Sequence, residues 1–133
     1  MSNTINACAG RQNVASFSRT FSLADFVDNS NSISIALPIN AVITRGSVTH
    51  RTNSNAGTSD ELDVGYTGSL EAYKANINQK TATITALVPT GHKHTADDDN
   101  LILTRTAVGT TTALSVFVEF DYIVEGRVDF TQD

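Results

Sequence analysis

One stretch constrains this chain more than any other: Leu114 to Val124, LSVFVEFDYIV. Leu114, Val116, Val118, Phe120, Tyr122 and Val124 are all apolar or aromatic, while Ser115, Glu119 and Asp121 stand between them. Side chains of a strand alternate faces, so the even positions form a buried face and the odd positions a mostly wet one. A helix would spread the same charges around its barrel and leave no continuous apolar stripe. β-Branched and aromatic residues also suit a pleated, half-buried surface. The stretch therefore reads as a central strand, with the other strands folded to cover its even face. Phe117 and Ile123 fall on the wet face. Left exposed, they would mark a partner surface; covered by a second sheet or by the segment around Tyr73, they would be core.

The rest of the chain repeats the pattern in shorter form. Val14 to Phe21 alternates loosely. Ser32 to Leu37 sets Ile33, Ile35 and Leu37 on one face, and Pro38 ends it. Ala41 to Thr52 follows, with Gly46 expected to form a bulge. Glu61 to Gly65 turns Leu62 and Val64 inward. Lys80 to Leu87, Gly91 to Thr95 and Leu101 to Thr106 complete the set. Polar clusters at Asp28–Asn31, Asn53–Ser59, Asp97–Asn100 and Gly109–Thr112 read as turns. Ser22 and Asp25 have the spacing of a capping box, which suits a single helical turn. Leu70, Tyr73 and Ile77 stand at i, i+3 and i+7, so one short helix near 69–78 competes with a strand there. About eight short strands with turns roughly every ten residues predict an all-β, single-domain sandwich or jelly roll. The hydroxyl content agrees: Ser and Thr number 30 against 9 basic and 14 acidic residues, and Thr favours strands over helix interiors. Residues 1–13 show no periodicity and read as an N-terminal arm, leaving 14–133 as the sandwich. A chain of 133 residues can bury about two-thirds of its unfolded surface, which needs no staple.

Charge and composition narrow the function. The net charge is −5 and only 17% of residues are charged, which argues against nucleic acid, whose affinity comes largely from clustered Lys and Arg. No basic patch suits a membrane surface, and no run approaches the ~20 apolar residues of a span. Cys8 is the single cysteine, so no intrachain disulfide forms. The N-terminus lacks the charge and apolar core of a secretory signal. Synthesis in a reducing cytoplasm is expected.

Candidate chemistry is thin, and the chain is expected not to be an enzyme. His92 and His94 form an H-x-H pair, whose rings share a face in a strand, as metal ligands must. Asp97, Asp98 and Asp99 follow and offer oxygens, but consecutive acids in a turn are usually solvated, and they lack the spacing, Gly and Glu of a calcium loop. Pro89, Gly91 and His94 also give P-x-G-x-x-H, a fragment of the cupin pattern. That pattern needs a second ligand motif, and the remaining histidine, His50, has none around it. The expectation is therefore no metal and no cofactor, with His92, His94 and Asp98 the residues to watch. Glu119 and Asp121 sit about 7 Å apart on a strand face, a separation near that of a glycosidase pair but one that any polar strand face offers. There is no nucleophile elbow, and Cys8 has no His near it in sequence. The absence of Trp weakens a sugar platform.

Four ordered patches carry a resemblance to small virion proteins of tailed bacteriophages. Ala36-Leu37-Pro38 followed by Ala41-Val42-Ile43-Thr44 resembles their LP-x-x-A-x-I/V-T opening. Thr58-Ser59-Asp60 with Leu62-Asp63-Val64-Gly65 resembles the next segment, Thr85 to Gly91 a mid-chain strand, and Phe120 to Arg127 with Phe130 the closing strand. The patches span residues 20–132. The resemblance implies a head decoration or cement protein: a capsid-surface homotrimer that clamps neighbouring major capsid subunits. Asn3, Thr4, Ile5, Asn6 and Arg11 of the arm, with Phe117 and Ile123, are the expected capsid or partner contacts. The alternatives are a tail, baseplate or fibre module of the same particle, and a jelly-roll carbohydrate-binding module.

Overall fold

The computed structural model describes residues 14–96 and 98–126. Among them are nine strands and one helix: β1 (Ala15–Ser22), α1 (Leu23–Asp28), β2 (Ser32–Ile35), β3 (Ala41–Thr52), β4 (Ser59–Tyr66), β5 (Ser69–Asn78), β6 (Ile84–Ala86), β7 (Lys93–His94), β8 (Leu101–Val108) and β9 (Ser115–Val124). They form two antiparallel sheets. One has the order β1-β9-β3-β6, with β7 also pairing to β3; the other has the order β2-β8-β4-β5. The all-β sandwich is as the alternation predicts.

β9 is the strand the others are built on. It lies between β1 and β3, and Val116, Val118 and Phe120 are wholly buried while Phe117, Glu119 and Asp121 are partly exposed. Its even face packs with Ile43 and Val48 of its own sheet against Ile33, Leu62, Val64, Tyr73, Ile77, Leu101 and Leu103 of the other. Phe17 stacks on Phe120 at 5.0 Å between ring centres. Burying such side chains removes apolar area from water at roughly 25 cal/mol per Å².

The alternation in β3 changes phase part-way. Ala41 and Ile43 point inward, then Gly46, Val48 and His50 do. The extra residue is Thr44: Ile43 pairs with Tyr122 and Arg45 already with Asp121. Thr44 and Arg45 thus both face outward. The bulge expected at Gly46 lies two residues earlier, and Gly46 has a different reason to be glycine. A Cβ there would sit 2.9 Å from Phe120 Cβ and 2.8 Å from Leu87 Cδ1.

The helix forms at Ser22, where the Ser22 amide donates to Asp25 Oδ2 at 2.8 Å and Phe26 is buried completely. The helix considered over 69–78 is instead β5. Thr67-Gly68, with Gly68 at φ +93°, folds the chain back so that Ser69 pairs with Tyr66. Two register shifts and Asn76 at φ +55° disturb the two-residue period. Tyr73 and Ile77 remain on the buried face while Leu70 is exposed. Four residues apart, Tyr73 and Ile77 share a face in a strand as they would in a helix, and Leu70 is the member that departs from the helical spacing.

Candidate functional site

The β4–β5 hairpin runs from Glu61 opposite Asn78 to Tyr66 opposite Ser69. A polar cluster lies toward each end of it. The turn-end cluster contains the two expected histidines. β7 pairs with the start of β3, His94 opposite Ala41, which draws His94 into the rim of the sandwich. The chain then turns, with the Asp99 amide donating to the Ala96 carbonyl at 3.1 Å, and enters β8 in the other sheet. Thr67 fastens this turn by donating its hydroxyl to the Asp98 carbonyl at 2.7 Å.

His92 Nε2 lies 2.8 Å from Asp99 Oδ2. His94 is fully buried; its Nδ1 is 2.7 Å from the Asp99 carbonyl oxygen and its Nε2 is 3.0 Å from the Tyr73 hydroxyl. A carbonyl only accepts, so His94 Nδ1 carries a proton and the Tyr73 hydroxyl donates to Nε2. Burial, helped by the neighbouring Tyr66 and Asp99, pushes the Tyr73 phenol up to about 12. The Tyr66 and His92 rings meet edge to face, 3.7 Å between centres. Among the described residues, Asp99 Oδ1 is buried with no hydrogen-bond donor. His94 Nδ1 is only 3.1 Å from it, but the shorter contact of that N–H is to the carbonyl. His92 and His94 thus lie together, 4.8 Å between ring centres, and of the acids that follow them Asp99 is the one in contact with both rings, while Asp98 gives its carbonyl to Thr67.

The other cluster was not anticipated. The buried Asp60 carboxylate accepts from Arg105 Nε at 3.0 Å, Arg105 Nη2 at 2.7 Å, Gln79 Nε2 at 2.8 Å and Ser54 Oγ at 2.5 Å. Arg105 also donates to Asn31 Oδ1 and Thr111 Oγ1. Gln79 spends its amide on Asp60, so its Oε1 accepts from His50 Nε2 at 3.0 Å. Burial holds the His50 imidazole below its ordinary value. Every charged group in this network is paired and hydrogen-bonded, as buried charges must be.

On the outer face of the five-stranded sheet, Arg45 bridges Glu119 and Asp121, and Ser47 and Ser16 donate to those two acids. The Arg45 contact chiefly holds the Glu119 carboxyl down, and the Ser16 hydroxyl, then Arg45, the Asp121 carboxyl. Both acids are committed to a guanidinium, which is not the arrangement of a general acid facing a nucleophile. Phe117 and Ile123 lie on this same outer face, half-buried and outside the core between the sheets. The Arg51 guanidinium covers the Phe117 ring at 4.3 Å. Asn3, Thr4, Ile5, Asn6 and Arg11 lie outside the described residues. A cleft of about 210 Å³ lined by Arg19, Asp25, Asn29 and Ser34 is smaller than the 300–1,000 Å³ usual for small-molecule sites.

No family model matches the chain, and no curated protein matches it. Its fold is matched among solved structures. A chain in the capsid asymmetric unit of cyanophage Pam1 superposes with a TM-score of 0.62 at 17% identity, over 93% of this chain and 92% of that one. A chain in the acid-stable capsid structure of Helicobacter pylori bacteriophage KHP30 gives 0.58 at 12% identity, over 83% and 86%. At these identities the likeness is one of fold.

Proposed function

We propose that the protein is a structural component of a bacteriophage particle, a decoration or cement protein that binds the assembled head and stabilises it. The observation that carries this reading is the near end-to-end match to a chain found within a phage capsid structure. The four ordered sequence patches point the same way independently. The described residues add a compact two-sheet body whose outer face is coated with hydroxyls and a paired charge cluster around Arg45. Nothing in this reading calls for catalysis.

The mechanism is mass action. A protein that binds the mature shell, and not its dissociated subunits, lowers the free energy of the shell by an amount set by its concentration over its Kd. If three copies associate, as we propose, three linked contacts add avidity without new kinds of contact. The arm residues Asn3 to Asn6 and Arg11, with Phe117 and Ile123, are the proposed contacts to the major capsid protein or a sister subunit.

Deleting the gene from the phage that carries it tests the reading. Heads should still form, lose surface density on the outside of the shell in cryo-electron microscopy, and rupture at lower temperature. Adding back the purified chain should restore both. Heads of unchanged stability on particles that no longer adsorb would overturn the cement role in favour of a tail or fibre module.

A further inference from the structure

We propose that His92, His94 and Asp99 form a site for one borderline divalent metal ion of the zinc class, held at the rim where the two sheets meet. The proposal is independent of the virion reading and stands on geometry alone.

The donor set is two imidazole nitrogens and one carboxylate. Three protein ligands of this kind with a fourth position left for water or another group make a common zinc arrangement. The three ligand atoms all lie within 4.8 Å of one another. The individual approaches are 2.8 Å from His92 Nε2 to Asp99 Oδ2 and 3.1 Å from His94 Nδ1 to Asp99 Oδ1. Metal–ligand bonds of about 2.0–2.2 Å in a tetrahedron separate neighbouring ligand atoms by about 3.4 Å, close to these distances; a metal on His94 Nδ1 also has to displace the Asp99 carbonyl oxygen that now accepts from it at 2.7 Å.

Three further features favour a cation over a simple hydrogen-bonded clasp. First, among the described residues Asp99 Oδ1 is buried without a hydrogen-bond donor, its nearest being His94 Nδ1 at 3.1 Å, whose N–H is turned to the carbonyl, and a buried carboxylate oxygen left unsatisfied calls for a positive partner. Second, the supporting contact is in place. With a metal on His94 Nδ1, the proton moves to Nε2 and is donated to the Tyr73 oxygen, which stands 3.0 Å away. A phenol hydroxyl serves equally as donor or acceptor, so it fixes the ring in the metal-bound tautomer as outer-shell partners do. Third, an entry path exists, because the His92 side chain is 30% exposed while His94 behind it is fully buried.

On binding, the proton on His92 Nε2 shifts to Nδ1, and Asp99 turns from acceptor to metal ligand. The ion would tie β7, which belongs to the five-stranded sheet, to the turn that feeds β8 in the four-stranded sheet.

The test uses the full chain without a histidine tag, stripped with chelator and titrated with Co²⁺ and then Zn²⁺. The expected result is one ion per chain, an intense visible Co²⁺ band of tetrahedral type that Zn²⁺ abolishes, and a higher melting temperature with Zn²⁺. His92→Ala and Asp99→Asn should each weaken Zn²⁺ binding by at least about tenfold, while Asp98→Asn leaves it unchanged. His92 is replaced in preference to the buried His94 so that folding is preserved. Circular dichroism of each stripped variant checks this. Absence of the Co²⁺ band, or Zn²⁺ binding that His92→Ala does not weaken, would overturn the site.

Discussion

The two buried polar clusters, at opposite ends of the β4–β5 hairpin, are built from similar groups and are balanced differently. At one end the Asp60 carboxylate receives four donor groups: Arg105 Nε and Nη2, the Gln79 amide and the Ser54 hydroxyl. At the other, the Asp99 carboxylate receives one among the described residues, from His92, and its second oxygen none. Arg105 supplies a fixed positive charge to the first cluster. The second holds imidazoles, which accept as readily as they donate. In the Asp60 network every charged group is matched and only the neutral His50 Nδ1 goes without a partner among the described residues, so that network serves the fold. In the Asp99 cluster the unmatched acceptor is on a charged carboxylate, and that surplus is what the proposed cation would complete.

The matched charges of the Asp60 cluster give the largest expected effect. Asp60→Asn keeps the shape and removes the charge, leaving Arg105 buried and uncompensated. Losing one partner of a buried pair costs about 3–5 kcal/mol, and chemical denaturation should show the midpoint lowered by that loss divided by an unchanged m-value. A loss below about 1 kcal/mol, the range of exposed pairs, would mean that water reaches Arg105 and the cluster is not closed. Asp99→Asn in the metal-free chain should cost much less, because its carboxylate is only partly satisfied to begin with.

Both halves of the Asp60 pair were legible in principle. Asp60 shares a face with Leu62 and Val64, and Arg105 with Leu101 and Leu103, so alternation alone turns opposite charges into the core of adjacent strands. β9 was legible because ten residues keep one period, and α1 because Ser22 and Asp25 mark its start. The phase change at Thr44 was not legible. A bulge is set by what the partner strand offers, and Thr44 has no local signal that differs from Thr49 or Thr52. β5 was ambiguous because Tyr73 and Ile77, four residues apart, share a face in a helix and in a strand alike, and its register shifts belong to the pairing with β4. Asp99 stands beside the histidines, rather than Asp98, where residues 95–96 and 98–100 lie outside any strand, and no periodicity says which acid of such a run turns inward. Tyr66 and Tyr73 reach the histidines only through the fold of the hairpin.

A second prediction separates the clusters by function. Tyr73→Phe removes the donor to His94 Nε2 and leaves a buried nitrogen unsatisfied, at a cost of about 1–3 kcal/mol. In the metal-free chain this should appear as a lower denaturation midpoint. The same variant should also weaken Zn²⁺, because the outer-shell contact is gone. Asp60→Asn should leave the Zn²⁺ affinity of the remaining folded protein unchanged. Equal effects of the two variants on Zn²⁺ would mean the clusters are coupled through β4 and β5 and are not separate devices.

The smallest effect is a dependence on pH at the closed end. His50 Nε2 donates to Gln79, and its Nδ1 is buried without a partner, so the folded protein holds His50 neutral. Burial lowers its pKa from the ordinary 6.5, and the Gln79 contact and the Asp60 charge oppose this without reversing it. The unfolded chain therefore takes up its proton first as the pH falls. The stability contributed by neutral His50 is complete above about pH 6.5 and is lost as the pH drops through the lowered folded value. Urea denaturation of wild type and of His50→Gln, each at pH 8 and pH 5, isolates this contribution from the other histidines. Wild type should lose more stability between the two pH values than the variant does. A wild type that loses less would mean that the Asp60 charge outweighs burial at His50, and that this cluster, too, attracts a cation, in this case a proton.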